Sequence, residues 1–93
     1  MSERASRIAI VTGAGGGIGS AIAVRLAREG FRVACTDLTA EAAESAAADV
    51  PGARGYACDL RSERAVDGLR DAVMAEMGVP WLLVNAAGVF FEH

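Results

Sequence analysis

The 93-residue sequence has no lysine, and its nine basic residues are all arginine. That absence excludes any chemistry needing a lysine ammonium: a Schiff base, a P-loop phosphate contact, or a lysine that tunes a catalytic tyrosine. Cysteine is scarce. Cys35 and Cys58 show no Cys-x-x-Cys spacing and no companion histidine, so they read as small buried thiols in a reducing compartment rather than a disulfide or metal site. The single histidine, His93, ends the sequence and reads as exposed and nonfunctional, while the single tyrosine, Tyr56, reads as a partly buried strand aromatic. There is no cationic excess either: the formal net charge is -3 and the arginines are scattered from Arg4 to Arg70, which argues against a nucleic-acid partner. Long apolar runs are also missing. Uncharged residues from Ile8 to Val24 follow Arg4 and Arg7, and Ala21-Ile22-Ala23 imitates a signal-peptidase site, but five glycines interrupt the stretch. It is also shorter than the ~20 residues that cross a bilayer. No membrane partner and a cytoplasmic location are expected.

What is abundant is small. Twenty alanines and 11 glycines make a third of the chain, so the core must rely on close backbone packing. At 53% hydrophobic and 5% aromatic the composition is that of a globular domain. A domain this short buries a modest share of its surface, so the length itself points to an incomplete unit of marginal stability.

Residues 7 to 12 form a β-branched apolar run that suits a strand buried on both faces. From Gly17 to Glu29, Ile18, Ile22 and Leu26 recur every four positions, with Ala21 and Val24 beside them, predicting a helix that Gly30 caps. Phe31 to Thr36 predicts a second strand, and Thr39 an N-cap for an alanine-rich helix reaching about Asp49 before Pro51-Gly52. Residues 54 to 58 are a weaker third strand. A third helix after Ser62 aligns Ala65, Leu69, Ala72 or Val73, and Met77 until Gly78 and Pro80 stop it. Trp81 to Val84 is a fourth strand. The order β-α-β-α-β-α-β with short connections predicts an α/β fold of Rossmann type: one parallel sheet with flanking helices, incomplete at its C-terminal side. Residues 1-93 read as one unit.

Between the first strand and helix lies Thr12-Gly13-Ala14-Gly15-Gly16-Gly17-Ile18-Gly19. Such a turn gathers unpaired backbone N–H groups at the positive end of a helix dipole, where a pyrophosphate is the natural ligand. Glycine lets the phosphate reach bare backbone and lets the helix sit close to the strand. Four glycines among the five residues Gly15 to Gly19 exceed what a tight turn alone requires. Asp37, at the end of the second strand, is placed to accept hydrogen bonds from the adenosine ribose and to repel a 2′-phosphate; its alternative role is a helix cap, which Thr39 already offers. Gly16 and Leu38, the neighbours of a 2′-phosphate, are neutral, so NAD is expected in preference to NADP.

These residues resemble the short-chain dehydrogenase/reductase family, classical branch, from about Arg7 to Val89. Thr12-Gly13-x-x-x-Gly17-x-Gly19 matches the family's cofactor motif, and Asp37 the acidic residue of its NAD-preferring members. Asp59-Leu60 matches a pair whose aspartate contacts the adenine. Asn85-Ala86-Ala87-Gly88 matches a segment that stabilises the central sheet and lines the cofactor pocket, with Ala86 in place of a second asparagine. The spacing Gly13-x-x-Gly16-x-x-Gly19 also fits the extended, epimerase-like branch; the Asn85 to Gly88 segment favours the classical one.

The resemblance implies an oxidoreductase that moves hydride between NAD and a small alcohol or ketone, homo-oligomeric when complete. Its chemistry rests on a serine and a Tyr-x-x-x-Lys pair, preceded by an asparagine. With no lysine, and Tyr56 followed by Leu60 at that spacing, none of these catalytic residues can be placed here. The chain is therefore expected to be the NAD-binding N-terminal portion, inactive alone. Two other readings stay open: a non-catalytic dinucleotide-binding or partner-binding module, and a fragment of a nucleotide-sugar epimerase.

Overall fold

A computed structural model describes residues 7–86. Its elements alternate strictly: β1 (Ile8–Thr12), α1 (Gly17–Arg28), β2 (Arg32–Asp37), α2 (Ala40–Ala48), β3 (Arg54–Ala57), α3 (Glu63–Glu76) and β4 (Pro80–Asn85). The four strands form one parallel sheet in the order β3-β2-β1-β4. Thr12 lies level with Thr36 on β2 and with Asn85 on β4, so three strands end together.

Local signals set the helix ends. The Thr39 hydroxyl accepts from the Ala42 N–H at 3.1 Å and the Ser62 hydroxyl from the Ala65 N–H at 3.1 Å. Each cap contributes about 1 kcal/mol. At the end of α1 the Phe31 N–H reaches back to the Leu26 carbonyl at 3.0 Å across Gly30, whose φ of 100° places it in left-handed backbone.

Side chains alternate across the sheet and build two cores. On the α1 and α2 side, Val11, Ala14, Ala23, Val33, Cys35 and Val50 are buried together. On the α3 side the cluster is Ile8, Ile10, Ala34, Cys58, Leu69 and Val73. The two free cysteines thus lie on opposite faces of the sheet, which rules out a disulfide between them. Burial pushes the Cys35 thiol up to about 11.

The expected stripe of α1 is displaced. Its fully buried residues are Gly19 and Ala23, while Ile18 is 45% exposed and Ala21 is exposed. The smallest side chains face the sheet because only they allow the helix so close to β1; Ile22, Val24 and Leu26 flank that line and pack from either side. In α3 the expected face is the observed one, with Leu69 and Val73 buried and Ala65 and Met77 packed against them. Strand limits shift by a residue or two: β2 starts at Arg32 and includes Asp37, β3 stops short of Cys58, and β4 starts at Pro80, a position where proline's missing donor is tolerated.

Candidate cofactor-binding site

The sheet changes its direction of growth at β1, since β2 and β3 extend it one way and β4 the other. In open parallel sheets the crevice beyond the carboxyl ends of the strands at such a switch point is where ligands bind. Thr12 ends β1 there, and its hydroxyl donates to Asn85 Oδ1 at 2.8 Å, with the Val84 carbonyl at 3.3 Å. That contact ties the two rims of the crevice together.

The glycine-rich turn leaves β1 at this point. Gly13 has a φ of 69°, which an L side chain rarely tolerates, and its carbonyl accepts from the Gly16 N–H at 3.1 Å. The Ala14 N–H donates to the Thr36 carbonyl at 3.0 Å, fastening the turn to β2. A Cβ on Gly19 would overlap the Gly13 carbonyl and stand 3.1 Å from Ala14 Cα, so α1 meets the turn backbone to backbone. Nothing lies within 4 Å of where a Cβ on Gly17 would project. That open space borders the first turn of α1.

The three helices begin differently. α2 and α3 carry a side-chain cap and an acidic residue, Glu41 or Glu63, in their first turns; α1 has Gly16 at its N-cap, with no side-chain cap and no acid in its first turn. No acidic side chain of α1 itself therefore compensates the positive end of its dipole, which suits an anion site.

Asp37 completes this arrangement from β2. Its Oδ2 accepts from the Gly15 N–H at 2.8 Å and its Oδ1 from the Leu38 N–H at 2.7 Å. A Cβ on Gly15 would sit 2.8 Å from Asp37 Oδ2, so the bare glycine is what lets the carboxylate reach the turn. The cap of α2 is Thr39, which leaves Asp37 out of that role.

A cavity of about 180 Å³ opens beside it at the ends of β1, β2 and β3. Thr12, Gly13, Asp37, Leu38, Asp59 and Leu60 line it, and so do Thr36, Cys58 and Arg61. The last three were not among the expected site residues; Cys58 was read as a small buried thiol, which it is. Arg61 could have been expected, because an arginine two residues after an aspartate at a strand end can fold back on it. Here it does: Arg61 Nε and its backbone N–H both donate to Asp59 Oδ1 at 3.0 Å, and Nη2 donates to Oδ2 at 3.0 Å. These hydrogen bonds hold the Asp59 carboxyl below the usual carboxylate range and raise the guanidinium. With Arg61 86% exposed, the pair fixes orientation more than it adds stability. Burial, and secondarily the charge of Asp59, push the Cys58 thiol up, which disfavours the thiolate form.

The remaining expected positions divide. Ile18 is exposed on α1 and Ala86 is buried just after β4, whereas Ala87, Gly88 and His93 lie outside the described residues. Tyr56 is away from the cavity lining, its hydroxyl donating to Glu76 Oε1 at 2.7 Å. Among the described residues no group of histidine, cysteine and carboxylate side chains could hold a metal, and no helix is long and apolar enough to cross a membrane.

Glycine turn, uncapped helix, strand-end carboxylate and switch point together define a Rossmann-like unit. A family model for short chain dehydrogenase matches residues 7–93, and the chain belongs to that family. It is 48% identical over 87 residues to D-threitol dehydrogenase of Mycolicibacterium smegmatis, covering 89% of this chain and 34% of that one. It is 37% identical over 86 residues to 7alpha-hydroxysteroid dehydrogenase of Escherichia coli, covering 88% and 34%. Among solved structures, an NAD+-bound xylitol dehydrogenase superposes with a TM-score of 0.79 at 42% identity, covering 88% of this chain and 33% of that one. An actinorhodin polyketide ketoreductase with NADPH gives a TM-score of 0.83 at 36% identity, covering 91% and 34%. The chain thus spans about a third of the length of these two relatives.

Proposed function

We propose that this chain is the dinucleotide-binding portion of an oxidoreductase that transfers hydride between NAD and a small alcohol or ketone. The observation that carries this reading is the Asp37 carboxylate bonded to the Gly15 N–H, which joins the acid of β2 and the phosphate turn into one unit. The residues present fit the group: open space beside the Gly17 backbone, an uncapped α1, and a cavity lined by Asp37 and Asp59.

When bound, the dinucleotide supplies a nicotinamide ring that accepts or gives up hydride. The first turn of α1 would hold the pyrophosphate through backbone N–H groups. Asp37, an acceptor only when ionised, would take the adenosine ribose hydroxyls, and Asp59, oriented by Arg61, the exocyclic amine of adenine. A 2′-phosphate would meet the Asp37 charge. Arg61 is the cation lining the same cavity, and its fork is already committed to Asp59.

Titration of the chain with NADH and NADPH tests the preference. NADH should bind tighter by about tenfold, a difference of about 1.4 kcal/mol; NADPH binding at least as tightly would overturn it. The substrate class is supported by relatives named for a sugar alcohol and a hydroxysteroid. With no lysine and Tyr56 outside the cavity lining, the chain holds no Tyr-x-x-x-Lys pair, so turnover above a buffer control is not expected from these 93 residues. Any measurable dehydrogenase activity of the purified chain would refute that.

A further inference from the structure

We propose that the Thr36 hydroxyl is a further dinucleotide-binding group, left unpaired at the floor of the cavity and hydrogen-bonded by the adenosine half of the ligand. Thr36 is buried, its Oγ1 has no hydrogen-bond partner among the described residues, and the residue belongs to the lining of the cavity, with Gly13 and Cys58. A buried hydroxyl without a partner destabilises the protein that contains it, and a valine of nearly the same shape would fill the position without that cost.

The threonine level with it on the next strand makes the contrast. Thr12 is in register with Thr36 and also buried, yet its hydroxyl is satisfied by Asn85. The Thr36 backbone cannot shift to find a partner, because its carbonyl accepts from Ala14 and its neighbours pair with β1 and β3. Rotation about χ1 remains available, and it exchanges hydroxyl and methyl without moving the strand.

The chemistry of the lining indicates what the hydroxyl meets. The carboxylates of Asp37 and Asp59 only accept hydrogen bonds, and Arg61 turns its Nε and Nη2 donors to Asp59. Thr36 adds a buried side-chain donor with no partner among the described residues, and the ring nitrogens of a purine are acceptors in search of one. This inference rests on the dinucleotide reading above and adds a binding group to it.

The test compares the wild-type chain with Thr36→Val and Thr36→Ser. Calorimetric titrations use NAD+ and ADP-ribose, which share the adenosine half, and thermal melts are recorded without ligand. Thr36→Val should weaken both ligands about fivefold, the size of one hydrogen bond, while its own melting temperature stays level or rises. Thr36→Ser should bind within about twofold of wild type. Wild-type affinity in Thr36→Val overturns the proposal, as does equal weakening in both variants, which would make the methyl group the contributor. A lowered melting temperature in Thr36→Val also overturns it, by showing a structural hydroxyl. If the wild type binds neither ligand, the dinucleotide reading itself fails, a result distinct from wild-type binding that Thr36→Val leaves unchanged.

Discussion

β1 and β4 are neighbours in one parallel sheet and look alike as sequence, each an apolar run closed by a polar residue, yet their surroundings differ. Every residue of β1 is buried, whereas β4 alternates, with Leu83 64% and Trp81 56% exposed beside half-buried Leu82 and Val84. β1 is sandwiched between a core under α1 and a core under α3. β4 shares only the first of these, through Val84. On its other face Leu83 walls an apolar groove with Ile10, Val66 and Leu69. Trp81 has found local cover from Phe31, at 5.6 Å between ring centroids, and from the Arg7 guanidinium 4.1 Å above its ring. The lesson is that an apolar run reports a strand's capacity for burial on two faces. Which face is used depends on what packs there.

The comparison breaks first at the centre of the sheet. Gly19→Ala should cost about 3 kcal/mol, because its Cβ meets backbone that cannot yield, and it should abolish dinucleotide binding by pushing α1 off the turn. Urea unfolding and a calorimetric titration measure the two effects, and wild-type values in both would show that α1 does not pack on the turn as described. Next, Val11→Ala on β1 should cost about 2 kcal/mol from lost transfer energy and a cavity. Leu83→Ala on β4 should cost less than about 0.5 kcal/mol. Similar losses in the two variants would mean that Leu83 is covered in solution, and the asymmetry between the strands would disappear.

The sequence carried the centre of the molecule better than its edges. Element order, the parallel sheet and the glycine turn follow from periodicity and glycine spacing, and all are local or nearly so. The buried line of α1 was misread because a hydrophobic stripe of Ile18, Ile22 and Leu26 outweighs glycine and alanine on any hydropathy count, whereas packing against β1 selects for small size. Of the cavity, Asp37 was legible as the carboxylate closing β2, and Asp59 through the family resemblance of the Asp59-Leu60 pair. Thr36 was not, since β2 reads as apolar up to its end and nothing in sequence says that its hydroxyl lacks a partner. Arg61 was missed because its role depends on a fold-back over two residues that a motif does not record.

The smallest effect sharpens the contrast at the opposite edge, on β3. Tyr56 is half-buried there, and its hydroxyl donates to Glu76 Oε1, an oxygen that also pairs with Arg54 Nη1 at 3.4 Å. Burial, and then the Glu76 carboxylate, push the phenol up from 10.0 to about 12. The raised value means the folded chain holds the phenolic proton more tightly than the unfolded chain does. The stabilisation is therefore complete below pH 10 and is lost as the pH rises from 10 toward 12. Because the chain has one tyrosine, an absorbance titration of the phenolate reports this group alone. Glu76→Gln should lower the midpoint toward 10 without reaching it, since burial persists. Tyr56→Phe should cost below about 1 kcal/mol at neutral pH, because its partner is largely solvated. A midpoint near 10 in the wild type would show that the Tyr56–Glu76 contact is not held in solution, and that β3 is as loosely covered at its edge as the open face of β4.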